Sequence, residues 1–307
     1  MRGDGTSEWP ALAFRPPTVR NRLRRGSRAC PLPLRDVVGG LVAEAVAVPL
    51  VWAGEEAVAR AALVAAKEAG SVVGLAARSP AAPERWFDAV VQVADEIAPG
   101  LPLLLGAVVS LRPGAIEEAR SLRWSQRLVE AGVTHLVLEV DALDPSRRAE
   151  ALARAAEPAL ERGLGVECLL PAAPGALPGS DEVFSLLAEL GSLGASPDLA
   201  GVRLPEPLPV GGEEAAARAL ERLAESTGGV GLACRGQASA RLARIVPPGT
   251  LRAADDGGLA ESAASRGSDR ERGEARAYGE AASLIDAVRS DGSAALLAQA
   301  LARAREE

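Results

Sequence analysis

Residues 121–171 read SLRWSQRLVEAG (Ser121–Gly132), VTHLVLEVDAL (Val133–Leu143), DPSRRAEALARAAEPALERG (Asp144–Gly163) and LGVECLLP (Leu164–Pro171). In the first segment Leu122, Leu128 and Val129 recur at helical spacing and Gly132 closes the run. The second is a β-branched and leucine run too short for a helix. Asp144-Pro145 then supplies an N-cap with proline at the first helical position, an Ala/Arg/Glu helix runs to Gly163, and Val166–Leu170 is a second apolar run. The unit is helix–strand–helix–strand. Strands apolar on both faces must be covered on both faces, so the sheet is parallel and sheathed by helices.

Working outward, the same alternation continues in both directions. Toward the N-terminus come a short helix over Leu34–Ala45 and strands at Val46–Trp52, Ser71–Ala76 and Leu103–Val109. Helices over Gly54–Ala69, Pro83–Ala98 and Glu117–Ala131 separate and follow these strands. Toward the C-terminus the strands are Leu199–Leu204, Val230–Cys234 and a weak Thr250–Ala254, and the helices Asp181–Leu190, Glu213–Ser226 and Ala238–Ile245. Eight strands are predicted, the number that closes a (β/α)8 TIM barrel. Residues 1–30, rich in Arg, Pro, Gly and Ser, read as a flexible basic tail, and 31–307 as one barrel domain ending in helices. The AAPGALPG segment after Pro171 reads as a lid or disordered arm, and 256–275 as a mobile loop. Tyr278–Arg305 reads as terminal helix broken near Asp291-Gly292.

The 307 residues carry a formal net charge of −7, and Lys67 is the only lysine among 34 basic side chains. Phosphodiester binding needs clustered excess positive charge, so no nucleic-acid partner is expected. No apolar run reaches the length of a membrane helix, so no membrane partner is expected either. The three cysteines, Cys30, Cys168 and Cys234, are widely spaced and read as buried thiols. A cytoplasmic protein is the expectation.

Two stretches resemble the class II, metal-dependent fructose- and tagatose-bisphosphate aldolases: LRDVVGGLVAEAVAVPLVWAGEEAVARAALVAAKEAGSVVGLAARS (34–79) and AGVTHLVLEVDALDPSRRAEALARAAEPALERGLGVECLL (131–170). The resemblance spans Leu34–Ala263 in the order and spacing of elements. It implies a TIM barrel, a divalent metal held by three histidines, a catalytic Asp and a phosphate-holding turn. The matching positions have lost these groups. The family's HxDHG falls on Leu105–Val109, the second Glu of its EAEL on Leu169, and its SHG on about Leu204–Glu206. Its HGGSG falls on Arg235–Ser239 and its NVDT on Ala253–Asp256. His135 is the only histidine, and one histidine cannot build a three-histidine centre. The resemblance therefore implies a degenerate member without metal or other cofactor. Such a chain would act as an assembly or regulatory subunit, as a homo-oligomer or beside a paralogous aldolase subunit.

The residues themselves leave a competing reading. Charge collects where strands end: Arg78, Arg112, Glu139, Asp141, Glu167, Arg203, Glu206, Arg235, Asp255 and Asp256. Glu139, Asp141 and Glu167 are the candidate catalytic carboxylates, able in principle to hold Mg²⁺. Arg112, Arg203 and Arg235 are the candidates for binding an anionic substrate, in a carbon–carbon lyase of the aldolase type. Alternation puts Glu139 and Asp141 on one face, with Glu139 a layer deeper and in need of Arg112 or Arg203. Arg235 is expected to pair with Asp255 or Asp256 and so close the old phosphate pocket. His135, at the start of its strand, reads as structural, as does Lys67, mid-helix beside Glu68.

Overall fold

Alternating apolar strands and amphipathic helices, each able to bury one face only against the other, close here into a ring. The structure, a computed structural model, describes residues 10–78, 80–140, 143–172, 175–208, 211–265 and 270–306. Nine strands lie in the described residues: β1 Cys30–Pro31, β2 Val48–Trp52, β3 Val73–Ala77, β4 Pro102–Ser110, β5 His135–Glu139, β6 Gly165–Leu170, β7 Leu199–Arg203, β8 Gly231–Arg235 and β9 Ala253–Asp255. All pairings are parallel, and β2 through β9 form a closed eight-stranded barrel. This is the TIM barrel that the eight apolar runs predict, each strand within a few residues of its expected place.

The ninth strand was not predicted. β1 pairs with the start of β4 (Cys30 beside Pro102, Pro31 beside Leu103), whereas β5 joins β4 only from Gly106 onward. It thereby covers backbone N–H and C=O groups that β5 leaves unpaired. From β1 the chain runs under the barrel, where the helix Leu34–Leu41 and the terminal helix Ser293–Glu306 plug the bottom. Their Leu34, Val37, Leu41, Leu297 and Leu301 pack with Leu50, Leu104 and Leu199 of the barrel interior.

Two expected loops are ordered instead. The flexible basic tail through residue 30 does not hold from Pro10 onward: Pro10–Phe14 is a 3-10 turn, Pro17–Arg20 a short helix, and Ala11, Val19 and Ala29 are buried. Composition lost to specific anchoring. The Asp95 carboxylate accepts from Ser27 Oγ at 3.1 Å, Arg28 N at 2.6 Å and Ala29 N at 2.7 Å, while Arg15 donates to the carbonyls of Ser27 and Ala29. Arg22 stacks over Phe87, 5.4 Å from the ring centroid. Likewise the mobile loop expected over 256–275 contains the helix Leu259–Ser265 and the start of the helix Arg270–Ala287; residues 266–269 lie outside the described residues. The terminal helices do break between Ala287 and Ser293, as the Asp291-Gly292 pair predicts.

Candidate functional site: the barrel mouth

Side chains of a barrel strand alternate between the interior and the surrounding helices, so residues of one parity line the inside. On β5 these are His135, Val137 and Glu139; on β6 Glu167 and Leu169; on β7 Gly201 and Arg203; on β8 Arg235; on β9 Asp255. Glu167 lies level with Val137 and Glu139 level with Leu169, which puts Glu167 one inward layer below Glu139. A Cβ at Gly201 would collide with the Glu167 carboxylate, so glycine on β7 makes the room that Glu167 occupies.

Glu167 is fully buried and fully partnered. Arg235 holds it through two nitrogens, Nε at 2.8 Å from Oε1 and Nη2 against Oε2, while His135 Nε2 lies 3.0 Å from Oε2. Burial alone would raise this carboxyl; the Arg235 guanidinium and the His135 hydrogen bond outweigh it and hold the group down at about 2. An ionised carboxylate can only accept, so His135 Nε2 carries the proton. For Arg235 burial works against the charge, and the Glu167 and Asp255 carboxylates reverse this and push its pKa above the ordinary arginine value.

Asp255 completes the arrangement. Its Oδ2 accepts from Trp52 Nε1 at 2.9 Å and from Arg235 Nη1 at 3.5 Å; its Oδ1 accepts from the backbone N–H groups of Gly236 at 2.7 Å and Gly257 at 3.0 Å. Asp256 turns away to accept from Trp52 N, Gly258 N and Ala260 N, which caps the helix Leu259–Ser265. Its burial raises the carboxyl to about 6. Glu206 takes the N–H of Gln237 at 3.1 Å. In barrels of this type the loops after the seventh and eighth strands, here β8 and β9, and a following short helix commonly cradle phosphate. In this chain, carboxylates of the chain itself occupy those N–H groups.

Above the network lies an open cavity of about 370 Å³. Glu139 and Arg203 meet on its rim at 2.8 Å, and Ser110 Oγ donates to the other Glu139 oxygen at 2.7 Å. The structure thus supplies the partner Glu139 needed and selects Arg203 over Arg112. Arg112 does not line this cavity; it is exposed in a neighbouring groove with Ser110, Arg120, Arg123 and Trp124. Asp141 lies outside the described residues. Arg235 does pair with Asp255, but its closer partner is Glu167, and Asp256 does not touch it. Sequence reasoning missed Trp52, whose ring carries the Arg78 guanidinium 4.5 Å from its centroid and Arg235 at 5.6 Å. The signal was present: a tryptophan at the last inward position of a barrel strand, with an N–H that burial obliges to find an acceptor.

The donor set does not suit the metal that the resemblance implies. The one histidine has its Nε2 on Glu167, buried beneath the cavity. Among the described residues no three His, Cys, Asp or Glu side chains converge as a metal site. The network has a measurable consequence in acid. Folded Glu167 binds its proton more weakly than the unfolded chain does, so its contribution is complete above about pH 4.5 and is lost as pH falls toward 2. Wild type is expected to lose about 3 kcal/mol of unfolding free energy over that range from this group. Denaturant titrations at stepped pH measure the slope; Glu167→Gln should flatten it.

No family model matches the sequence, and no curated protein matches it. Among solved structures the barrel is similar to the YdjI aldolase from Escherichia coli K12, with a TM-score of 0.64, 15% identity, and coverage of 85% of this chain and 98% of that one. It is also similar to a Coccidioides immitis protein assigned as a fructose-1,6-bisphosphate aldolase, with a TM-score of 0.61, 15% identity, and coverage of 91% and 99%. At that identity the likeness establishes the shared fold. No helix among the described residues is long and apolar enough to cross a membrane.

Proposed function

We propose that this chain is an aldolase-fold barrel that no longer performs aldol chemistry and serves as a non-catalytic assembly or regulatory subunit, with copies of itself or with a paralogous aldolase chain. The observation that supports this most directly is the closed set Glu167–Arg235–Asp255. The inward groups that could do acid–base or electrostatic work under the mouth neutralise one another, and Asp255 and Glu206 take the loop N–H groups a sugar phosphate would use. A reacting group needs a lone pair or proton free to face the substrate; Asp255 already accepts four hydrogen bonds, and Glu167 is buried beneath the cavity behind Arg235.

The lyase reading with a carboxylate-held Mg²⁺ needs Glu139 and Glu167 on one cavity. They lie in separate layers, each already paired with an arginine, and Glu167 does not reach the cavity wall. The test is direct. Purified chain incubated with fructose and tagatose bisphosphates in Zn²⁺, Co²⁺ or Mg²⁺ is expected to release no triose phosphate above the blank. Metal-dependent turnover of even about 1 s⁻¹, an ordinary enzymatic rate, overturns the proposal.

A further inference from the structure

The mouth is closed to phosphate but is not filled. Trp52, Val108, Val137 and Leu169 form an apolar cluster that walls the cavity. Among the described residues its charged lining is three arginines (Arg78, Arg203, Arg235) against three carboxylates (Glu139, Glu206, Asp255). Two of the arginines are engaged, Arg203 with Glu139 and Arg235 with Asp255 and Glu167. Arg78 is different. It is exposed, among the described residues no carboxylate lies within ion-pair distance of it, and its guanidinium lies on the face of Trp52. A guanidinium laid on an indole keeps its N–H edge available and loses little freedom on taking a planar anion.

We propose that this cavity binds a small organic monocarboxylate with an apolar or aromatic body, the carboxylate on Arg78 and the body against Trp52, Val108, Val137 and Leu169. The inference rests on reading the mouth as non-catalytic and names what it holds instead. Arg78, the one arginine of the lining without a carboxylate partner among the described residues, matches one negative charge. A phosphate dianion would set its second charge beside Glu139 and Glu206, with the N–H groups of Gly236, Gln237 and Gly257 already given to carboxylates. A volume of about 370 Å³ suits a ligand the size of a benzoate.

Benzoate and hexanoate are the probes, with inorganic phosphate and fructose bisphosphate as comparison arms, read by calorimetric titration and by tryptophan fluorescence. Saturable binding of benzoate is expected in wild type and in Arg112→Ala, whose side chain is outside the cavity. In Arg78→Ala the dissociation constant should rise about tenfold or more, the loss of one charge-assisted contact. Arg78→Lys, which keeps the charge without the planar fork, should fall between. Phosphate and fructose bisphosphate should neither bind nor displace benzoate. No saturable benzoate or hexanoate binding, equal affinity in Arg78→Ala, or displacement by phosphate each overturns the inference. Turnover in the aldol assay overturns the non-catalytic reading instead, whatever benzoate does, so the two failures are told apart.

Discussion

Arg235→Met is expected to lower unfolding free energy by about 3–5 kcal/mol, whereas the double variant Arg235→Met, Glu167→Leu should recover most of that loss. The asymmetry follows from burial. Glu167 is fully enclosed, and without Arg235 its only side-chain partner is a histidine. A carboxylate left so either stays ionised in a poor medium or takes up a proton, and each state costs stability. Replacing both charges by apolar side chains of similar volume removes the unpaired carboxylate and leaves the smaller cost of a buried His135 Nε2–H that has lost its acceptor. Asp255 would still keep Trp52 Nε1 and the N–H groups of Gly236 and Gly257. Urea unfolding monitored by far-UV dichroism measures the shift, read from the midpoint at an unchanged slope. A single variant within about 1 kcal/mol of wild type, or a double variant no better than the single, would mean that the pair is not the compensated charge the geometry describes.

How much of this was legible in the sequence depends on whether the information is local. The barrel strands announce themselves as short apolar runs between Ala-rich helices, and β2 through β9 lie where those runs predict. β1 is two residues long, and its reason for existing is the early part of β4, some seventy positions away, that β5 does not reach. No periodicity encodes that. The basic tail misled for a similar reason: its composition is that of disorder, and its order comes from Asp95 on a distant helix. At the mouth the sequence placed the charges at the strand ends and part of their pairing: Arg203 meets Glu139, and Arg235, expected on Asp255 or Asp256, reaches Asp255. What it did not show is that the length of Arg235 carries it a layer down to a closer partner, Glu167, 68 positions earlier in the chain. Gly201 marked that space, although a glycine in a strand says only that something approaches closely. Asp255, the last residue of β9, and Asp256, the first beyond it, do different work: one faces Arg235 inside the barrel and the other caps the following helix.

The other large effect is expected at the opposite end of the barrel. Leu297→Ala should cost about 2–5 kcal/mol, the range for emptying a leucine-sized site in a close-packed core. Leu297 is fully buried among Leu41, Leu50 and Leu104, and it lies so near Gly40 that a Cβ there would collide with it. The terminal helix is also tied down ahead of this contact. Ser293 Oγ accepts from Val72 N at 2.9 Å, Gly292 N donates to Ala69 O at 2.9 Å, Ala294 N donates to Gly70 O at 3.0 Å, and Ser71 and Ser290 share a 2.7 Å hydrogen bond. With its N-terminal turn held to the loop that leads into β3, the helix cannot slide to refill the hole, so the loss should sit toward the upper end of that range. Gln299→Ala, on the exposed face of the same helix, should stay within about 0.5 kcal/mol of wild type. Ending the chain at Asp291 removes one of the two helices of the plug and uncovers the face of the helix Leu34–Leu41 that packs against it. Such a chain is expected to lose its single cooperative transition, because the bottom layer then faces water over an area the remaining elements cannot cover. A Leu297→Ala protein within about 1 kcal/mol of wild type, or a truncated chain that still melts cooperatively, would show that the barrel closes without its terminal helix.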